Sequence, residues 1–524
     1  MDEFRKLSPL AESLITYLEK KEVVIDEERI SVNPVVSEVA HWYEKLRNAL
    51  DYGEDEVILR LAIERILKRR LLLGGSGINI AEPLVRELVW ARYFPDSSVP
   101  ESIIKKVAEK IDLYLHLEKK VLIHHKIDRN KLHQWILQLM SVDISYLLNP
   151  NKEEEMLSSF MYQILKDKVR IEDDTEEVRD TQVFIAIRRT FNKSDVAYIR
   201  YHLFNQFFDK LNHKNLEKIA VHFPKGQKKI DSDLNYSLKD RFYTFVKSQT
   251  APFLVLEDIF RKHRGRLKEL VLDSDNFSLL VLRTCNNKYQ DIFKRIRRSI
   301  IRSVIFLLFT KAIFALTIEG AFEKYLYGRV LWNTLALNTF IPPVLMVVVS
   351  FFIRIPDKEN SMRILEKINA VLYTPEKFIK TPLSLRKHSK VNLLMSTIFT
   401  ILWFAAFVLG FGTIIFVLRM FHFNIISQAV FLFFIAIVSF LAYRINQIGS
   451  MFITGEEKQN VLSIFLDFFF VPFIQIGRHL TLGISQLNVF LLFFDIFIET
   501  PFKALFSFFE QWFLFLRTQR EKLD

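Results

Sequence analysis

Residues 330–353, 391–418 and 420–443 contain no Asp, Glu, Lys or Arg. A helix crosses a bilayer with about 20 predominantly apolar residues, and each of these runs exceeds that length. A fourth run, residues 303–318, is interrupted by Lys311 and reaches spanning length when extended back through Ile300 and Ile301. A charge at the middle of such a helix costs about 2.5–3.5 kcal/mol on insertion scales unless it pairs or snorkels. The sequence therefore predicts four transmembrane helices, at about 300–318, 330–353, 391–418 and 420–443. The last two are joined only by Arg419 and the few residues after it, which implies a tight antiparallel hairpin. Ala406, Gly410 and Gly412 suit a close helix crossing in the third span. Pro342-Pro343 removes two N–H groups from the second and predicts a kink near Asn338.

The rest of the chain has a different composition. Residues 1–298 hold 51 Lys+Arg and 46 Asp+Glu, against 21 and 14 in residues 299–524, which carry 35 of the 50 Phe. That asymmetry excludes a purely soluble, collagen-like or disordered chain. Residues 1–298 read as helical, with amphipathic segments beginning at Ser8-Pro9 and a small hairpin over Val23–Val32. An acidic loop at 171–180 and a Pro224/Gly226 break at 224–235 are expected sub-boundaries, and no repeat of constant period is present.

Orientation follows from basic residues. Lys294, Arg295, Arg297, Arg298 and Arg302 precede the first span, and nine Lys/Arg against four acids lie between spans two and three. Both clusters fall on one side of a four-span chain, which the positive-inside rule assigns to the cytoplasm together with residues 1–298. Met1 to Lys6 is charged, with no apolar core behind it, so no cleaved secretory peptide is expected.

Residues 461–517 carry 15 Phe in 57 positions yet also include Asp467, Asp495 and Glu499. Asn488, Asp495, Glu499, Lys503, Glu510 and Arg517 fall on one narrow helical face. Short uncharged pieces and breaks at Pro472 and Pro501 favour a helix lying in the cytoplasmic interface. Insertion with the charged stripe turned inward is the alternative.

The fold expected is thus all-α. A large irregular helical cytoplasmic domain (1–298) precedes four transmembrane helices with a basic cytoplasmic loop at 354–390 (299–460), followed by interfacial or re-entrant Phe-rich amphipathic helices (461–524).

Motifs for chemistry are weak. Gly74-Gly75-Ser76-Gly77 lacks the Gly-Lys-Ser/Thr ending of a P-loop and reads as a helix terminator. His124, His125 and His133 sit without ligand spacing. The lone cysteine, Cys285, excludes an intrachain disulfide and any multi-cysteine metal site. No catalytic residue, metal site or cofactor is expected. The small surplus in the first half argues against specific nucleic-acid binding, whereas juxtamembrane Lys/Arg suit anionic lipid head groups.

The leading expectation is a non-enzymatic, multi-pass scaffold of the cytoplasmic membrane that docks a protein partner or self-associates. An ion or small-solute channel or transporter is the alternative, with Lys311, Glu319, Asp467, Asp495 and Glu499 as candidate polar sites. Lys311 and Glu319 are about 80° apart and roughly 12 Å along an α-helix. They are therefore not expected to pair, and Lys311 would need an acidic partner elsewhere, an aqueous cavity or an escape to the interface, with Asp467, Asp495 and Glu499 in reach only if the tail is inserted.

Overall fold

The computed structural model describes residues 6–20, 27–32, 55–72, 74–379, 382–386, 393–421, 423–454 and 470–480, with scattered positions in 34–45, 468 and 501–519. It is 80% helix and 2% strand. Contacts divide the chain into two units. One takes Pro9–Val246, Thr381–Leu385 and Leu492–Asp524, and the other Met1–Ser8, Lys247–Lys380 and Arg386–Leu491.

The first unit contains α1 (Pro9–Leu18), α2 (Asp55–Leu72), α3 (Gly77–Trp90), α4 (Ser102–His124), α5 (Arg129–Leu148), α6 (Lys152–Leu165), β1 (Val169–Ile171), α7 (Glu176–Thr190), α8 (Val196–Phe208) and α9 (Leu216–Leu234). Its helices start where the side chains supply caps. Asp128 accepts from the Asn130 and Lys131 amides, and Asp195 accepts from that of Tyr198. These acceptors satisfy N–H groups that the first turn leaves unpaired. The acidic loop expected at 171–180 is partly a helix start, because Thr175 caps α7 and Glu176 and Glu177 occupy its first turn. Negative charge there complements the helix dipole.

The break expected at 224–235 is helical instead, with Pro224 inside α9. Packing overrides the local signal. Phe223 is fully buried, and a Cβ on Gly226 would meet the Phe208 ring at 2.3 Å. Gly74 and Gly75, with φ of 76° and 149°, end α2 as the sequence suggests. The Gly77 amide that opens α3 already donates to Asp112 Oδ1 at 2.7 Å, which fills the position a phosphate would take.

A contiguous apolar core joins α3, through Ile80, Leu84 and Leu88, to Ile111 and Leu117 of α4 and Leu132, Ile136 and Leu139 of α5. Each such fully buried side chain contributes roughly 1.5–3 kcal/mol. Phe513, in the C-terminal stretch, packs against this same core. β1 pairs in parallel with β2 (Leu383–Leu385), Val169 opposite Leu383 and Ile171 opposite Leu385.

A partly buried polar cluster lies in this unit. Arg188 of α7 forks onto the Glu155 carboxylate of α6, and the Tyr146 hydroxyl lies 2.8 Å from His202 Nε2. Burial, reinforced by the Arg188 charge, pushes the His202 imidazole down to about 3 from its ordinary 6.5. The unfolded chain therefore takes up a proton below pH about 6.5 that the folded chain refuses until near pH 3. Stability from this group is complete above that unfolded value and is lost as pH falls through the window. Unfolding followed between pH 7 and 4 should show a steeper loss for wild type than for His202→Gln. Parallel curves would refute the assignment.

The second unit holds α10 from Lys247 onward (α10 is Lys239–Lys262), α11 (Leu267–Leu272), α12 (Ser274–Phe314), a π turn at Ala315–Glu319, α13 (Gly320–Tyr327), α14 (Trp332–Ser350), α15 (Lys358–Tyr373), α16 (Leu393–Met420) and α17 (Ile425–Ser450). Among the described residues, four helical stretches are long and apolar enough to cross a membrane: Ser274–Tyr327, Trp332–Ser350, Leu394–Met420 and Ile425–Ser450. They coincide with the four expected spans, although the first belongs to a helix that begins well before residue 300. α14 continues through Pro342 and Pro343.

α12, α14 and α17 close around Leu307, Met346, Phe434 and Val438. Below that core, Asn360 of α15 donates to Tyr289 Oη at 2.8 Å and to the Phe452 carbonyl at 2.7 Å. An added Cβ would meet nothing within 4 Å at Gly412, whereas one at Gly449 would meet the Arg354 carbonyl and one at Gly477 that of Ala436. Residues 470–480 are helical, and Phe473 is buried with its ring stacked 4.3 Å from that of Phe411.

Candidate functional site

Along the apolar stretch of α12 large hydrophobic side chains are exposed, while a lysine is buried beside the apolar core. Ile305 is 62% and Phe309 66% exposed, while Leu307 and Lys311 are fully buried. Lys311 meets Glu319 Oε1 at 2.5 Å, with both side chains shut off from solvent. Its ammonium also lies 5.2 Å from the centre of the Phe434 ring on α17, within cation–π range.

This pair overturns the expectation that Lys311 and Glu319 cannot touch. Residues 315–319 form a π turn, not an α turn. A π turn advances each residue by less than the 100° of an α-helix, so it carries position 319 back over position 311. The Glu319 side chain then leans toward the helix N-terminus, where Lys311 waits. No partner from the tail is needed. Asp467, Asp495 and Glu499 lie outside the described residues.

The second Glu319 oxygen accepts from Asn338 Nδ2 of α14, which also points at the Ser427 carbonyl of α17 at 3.3 Å. Ser427 N–H in turn donates to Asn424 Oδ1 at 2.8 Å, as the cap of α17. Asn424 Nδ2 donates to Glu323 Oε1 at 3.4 Å, and Glu323 Oε2 accepts from Leu331 N–H at 2.8 Å. One string of polar contacts thus runs from Lys311 to the starts of α14 and α17. Lys311, Glu319, Glu323 and Asn338 are all fully buried, and Ser427 is 1% exposed.

The two carboxylates are held differently. Glu319 faces a cation. Glu323 is held by the Leu331 N–H at the start of α14 and by the side-chain amide of Asn424, the cap of α17, with no basic side chain among its partners in the described residues. Two acceptors in the cluster remain without a partner among the described residues: Asn338 Oδ1 and Ser427 Oγ. Buried polar atoms are nearly always satisfied, so these two exceptions are notable.

Sequence reasoning singled out Lys311 and Glu319 but missed Glu323, Asn338, Asn424 and Ser427 as members of the site. Glu323 stands one turn beyond Glu319, and Asn338 one turn before Pro342, so both had a signal. Asn424 and Ser427 resemble an ordinary helix start and had none.

The histidines form no centre. His124 Nε2 sits 2.7 Å from Glu217 Oε1, His133 Nδ1 3.1 Å from Glu118 Oε1, and His125 Nε2 2.9 Å from the Val221 carbonyl. Among the described residues no group of three His, Cys, Asp or Glu is placed to hold a metal ion. The chain matches no family model, no curated protein and no solved structure.

Removing one member of a buried ion pair leaves its partner uncompensated and typically costs about 3–5 kcal/mol. Lys311→Leu should therefore destabilise the detergent-purified protein by that order, and Lys311→Leu with Glu319→Leu should recover most of the loss. Thermal unfolding of the two variants beside wild type measures this. A double variant as unstable as the single one would mean that the pair is not the governing contact.

Proposed function

We propose that the chain is a multi-pass integral membrane protein that passes an ion or small solute through the polar interior of its four apolar helices. The observation that supports this is the contrast along the helical stretch Ser274–Tyr327, with Ile305 and Phe309 exposed and Lys311, Glu319 and Glu323 fully buried. In a bilayer that arrangement puts hydrocarbon against hydrocarbon. Ionisable side chains inside membrane helices are expensive to keep, and they mark ion and substrate pathways. A scaffold has no use for three of them, so the conduit reading takes precedence over docking.

In this reading the protein lies in the cytoplasmic membrane with its N-terminal helical unit in the cytoplasm. Lys294, Arg295, Arg297, Arg298 and Arg302 are exposed on α12 just before its apolar stretch, where anionic head groups contribute about 1 kcal/mol per residue. Pairing of β2 with β1 supports placing the segment between α15 and α16 on the cytoplasmic side as well. Phe473, stacked on Phe411 midway along α16, supports insertion of residues 470–480 over an interfacial position.

Two measurements test the proposal. Protein reconstituted in sealed vesicles should carry a monovalent-ion flux, read with sodium- and pH-sensitive dyes, that Glu319→Gln reduces at least tenfold. Vesicles that stay tight with folded wild-type protein would return the scaffold to first place. For orientation, single cysteines at Tyr325 (85% exposed) and Met362 (57% exposed) in a Cys285→Ala background are probed on intact cells with an impermeant thiol reagent. Labelling is expected at position 325 only, and labelling at 362 alone would reverse the topology.

A further inference from the structure

A groove runs between α14, α16 and α17, apart from the buried polar residues. Its floor is Leu418, Phe423 and Phe431, all buried, and its rim is Leu337, Val417 and Phe421, all exposed. It encloses about 360 Å3 and its lining is apolar. The one hydroxyl along it, Thr413 Oγ1, already donates to the Leu409 carbonyl at 2.6 Å. The adjoining turn is satisfied as well, since the Phe421 and Phe423 amides both donate to the Leu418 carbonyl at 3.1 Å. Such a lining offers water no hydrogen bond and suits an apolar occupant.

The length of the groove matches one leaflet. Its mouth lies at Phe421, in the turn between α16 and α17, and Ile435 lines its far end. Ile435 stands ten residues beyond Ile425, the first residue of α17, which is roughly 15 Å along the helix. That is half of a hydrocarbon core about 30 Å thick.

Side chains mark the mouth as a membrane surface. Glu323 accepts from both Asn424 Nδ2 and Leu331 N–H, which brings the turn before α17 beside the turn before α14. Tyr325, Tyr327 and Trp332 are exposed at this end, and such aromatic residues collect at head-group level. Lys324, Arg329 and Arg419 are exposed there too, and none makes an ion pair among the described residues. The one carboxylate within 320–331 and 417–426 is Glu323, and it is buried. Uncompensated positive charge therefore stands over an apolar slot.

We propose that this groove seats one acyl chain of an anionic phospholipid, whose phosphate lies among Lys324, Arg329 and Arg419. The slot is at the small end of the roughly 300–1,000 Å3 range of ligand cavities, so it takes a single chain and leaves the second in the bilayer. Basic side chains near a membrane surface draw anionic head groups, and the apolar slot beneath them gives this site a fixed place for the chain. The basic residues before the apolar stretch of α12 lie at the opposite end of that helix and are a separate contact. The proposal rests on the membrane reading and is independent of the conduit.

The test uses the full chain in phosphatidylcholine vesicles holding a minor share of phosphatidylglycerol with a photoactivatable diazirine on one chain. After illumination, peptide mapping should find Ile414, Phe431 and Ile435 labelled about fivefold more densely than Ile401 and Phe404, which are exposed on α16. Thr413→Trp places an indole in the slot from an exposed position, so it should remove that excess while Ile401 and Phe404 stay labelled. Lys324→Gln, Arg329→Gln and Arg419→Gln together should leave the fold intact, because all three side chains are exposed. The triple variant should lose about fivefold of the preference over diazirine-phosphatidylcholine. Even labelling along α16, an excess that survives Thr413→Trp, or equal labelling by the two lipids in wild type would overturn the proposal and leave the conduit to the flux assay. No label on α14, α16 or α17 would overturn it together with the membrane reading.

Discussion

A lysine buried among helices whose outer surfaces are apolar must find its counter-charge inside, and the four-helix region is organised around how Lys311 does so. An isolated charge removed from water is penalised by several kcal/mol even after relaxation. The ion pair with Glu319 offsets that penalty only if the remaining lone pairs are also used. Asn338 supplies one such contact from α14, and the Phe434 face supplies a second, weaker one from α17. One buried pair therefore links α12 to both neighbouring helices. The π turn at 315–319 follows from this requirement, since an unbroken α-helix would hold the two groups apart.

The same network fixes the ends of the helices. Glu323 draws the start of α14 toward α13 through Leu331 N–H, and the Asn424 cap draws in the start of α17. Each contact satisfies a group that a helix terminus would otherwise leave bare. The residues that tie α12, α13, α14 and α17 together also carry two oxygens without a partner among the described residues, Asn338 Oδ1 and Ser427 Oγ.

Much of the architecture was legible in residues alone. Three uncharged runs and a fourth broken by Lys311 located four helices, because length and hydropathy mark stretches apolar enough to cross a membrane. The Gly74–Gly77 loop was read correctly as a terminator. What was not legible had a common cause in packing. Pro224 and Gly226 signal a break locally, yet burial of Phe223 and contact with Phe208 keep α9 continuous. The parallel pairing of Val169–Ile171 with Leu383–Leu385 joins segments more than 200 residues apart and leaves no periodic signature. The Lys311–Glu319 contact was misjudged because ideal helical spacing was applied across a π turn, a feature with no composition rule. Glu323 could have been found by asking which polar residues lie one turn from Glu319, and Asn338 by asking which lie one turn from Pro342. Ser427 could not.

The central claim is that Lys311 and Glu319 neutralise each other within the helices, and charge reversal tests it most directly. Lys311→Glu alone and Glu319→Lys alone each place two like charges in the buried site. Folded, membrane-extracted yield, measured by size-exclusion chromatography in detergent, should fall sharply for both. The two substitutions together restore one charge of each sign, and the yield should return to within about twofold of wild type. A doubly reversed protein recovered no better than the worse single variant would contradict the account.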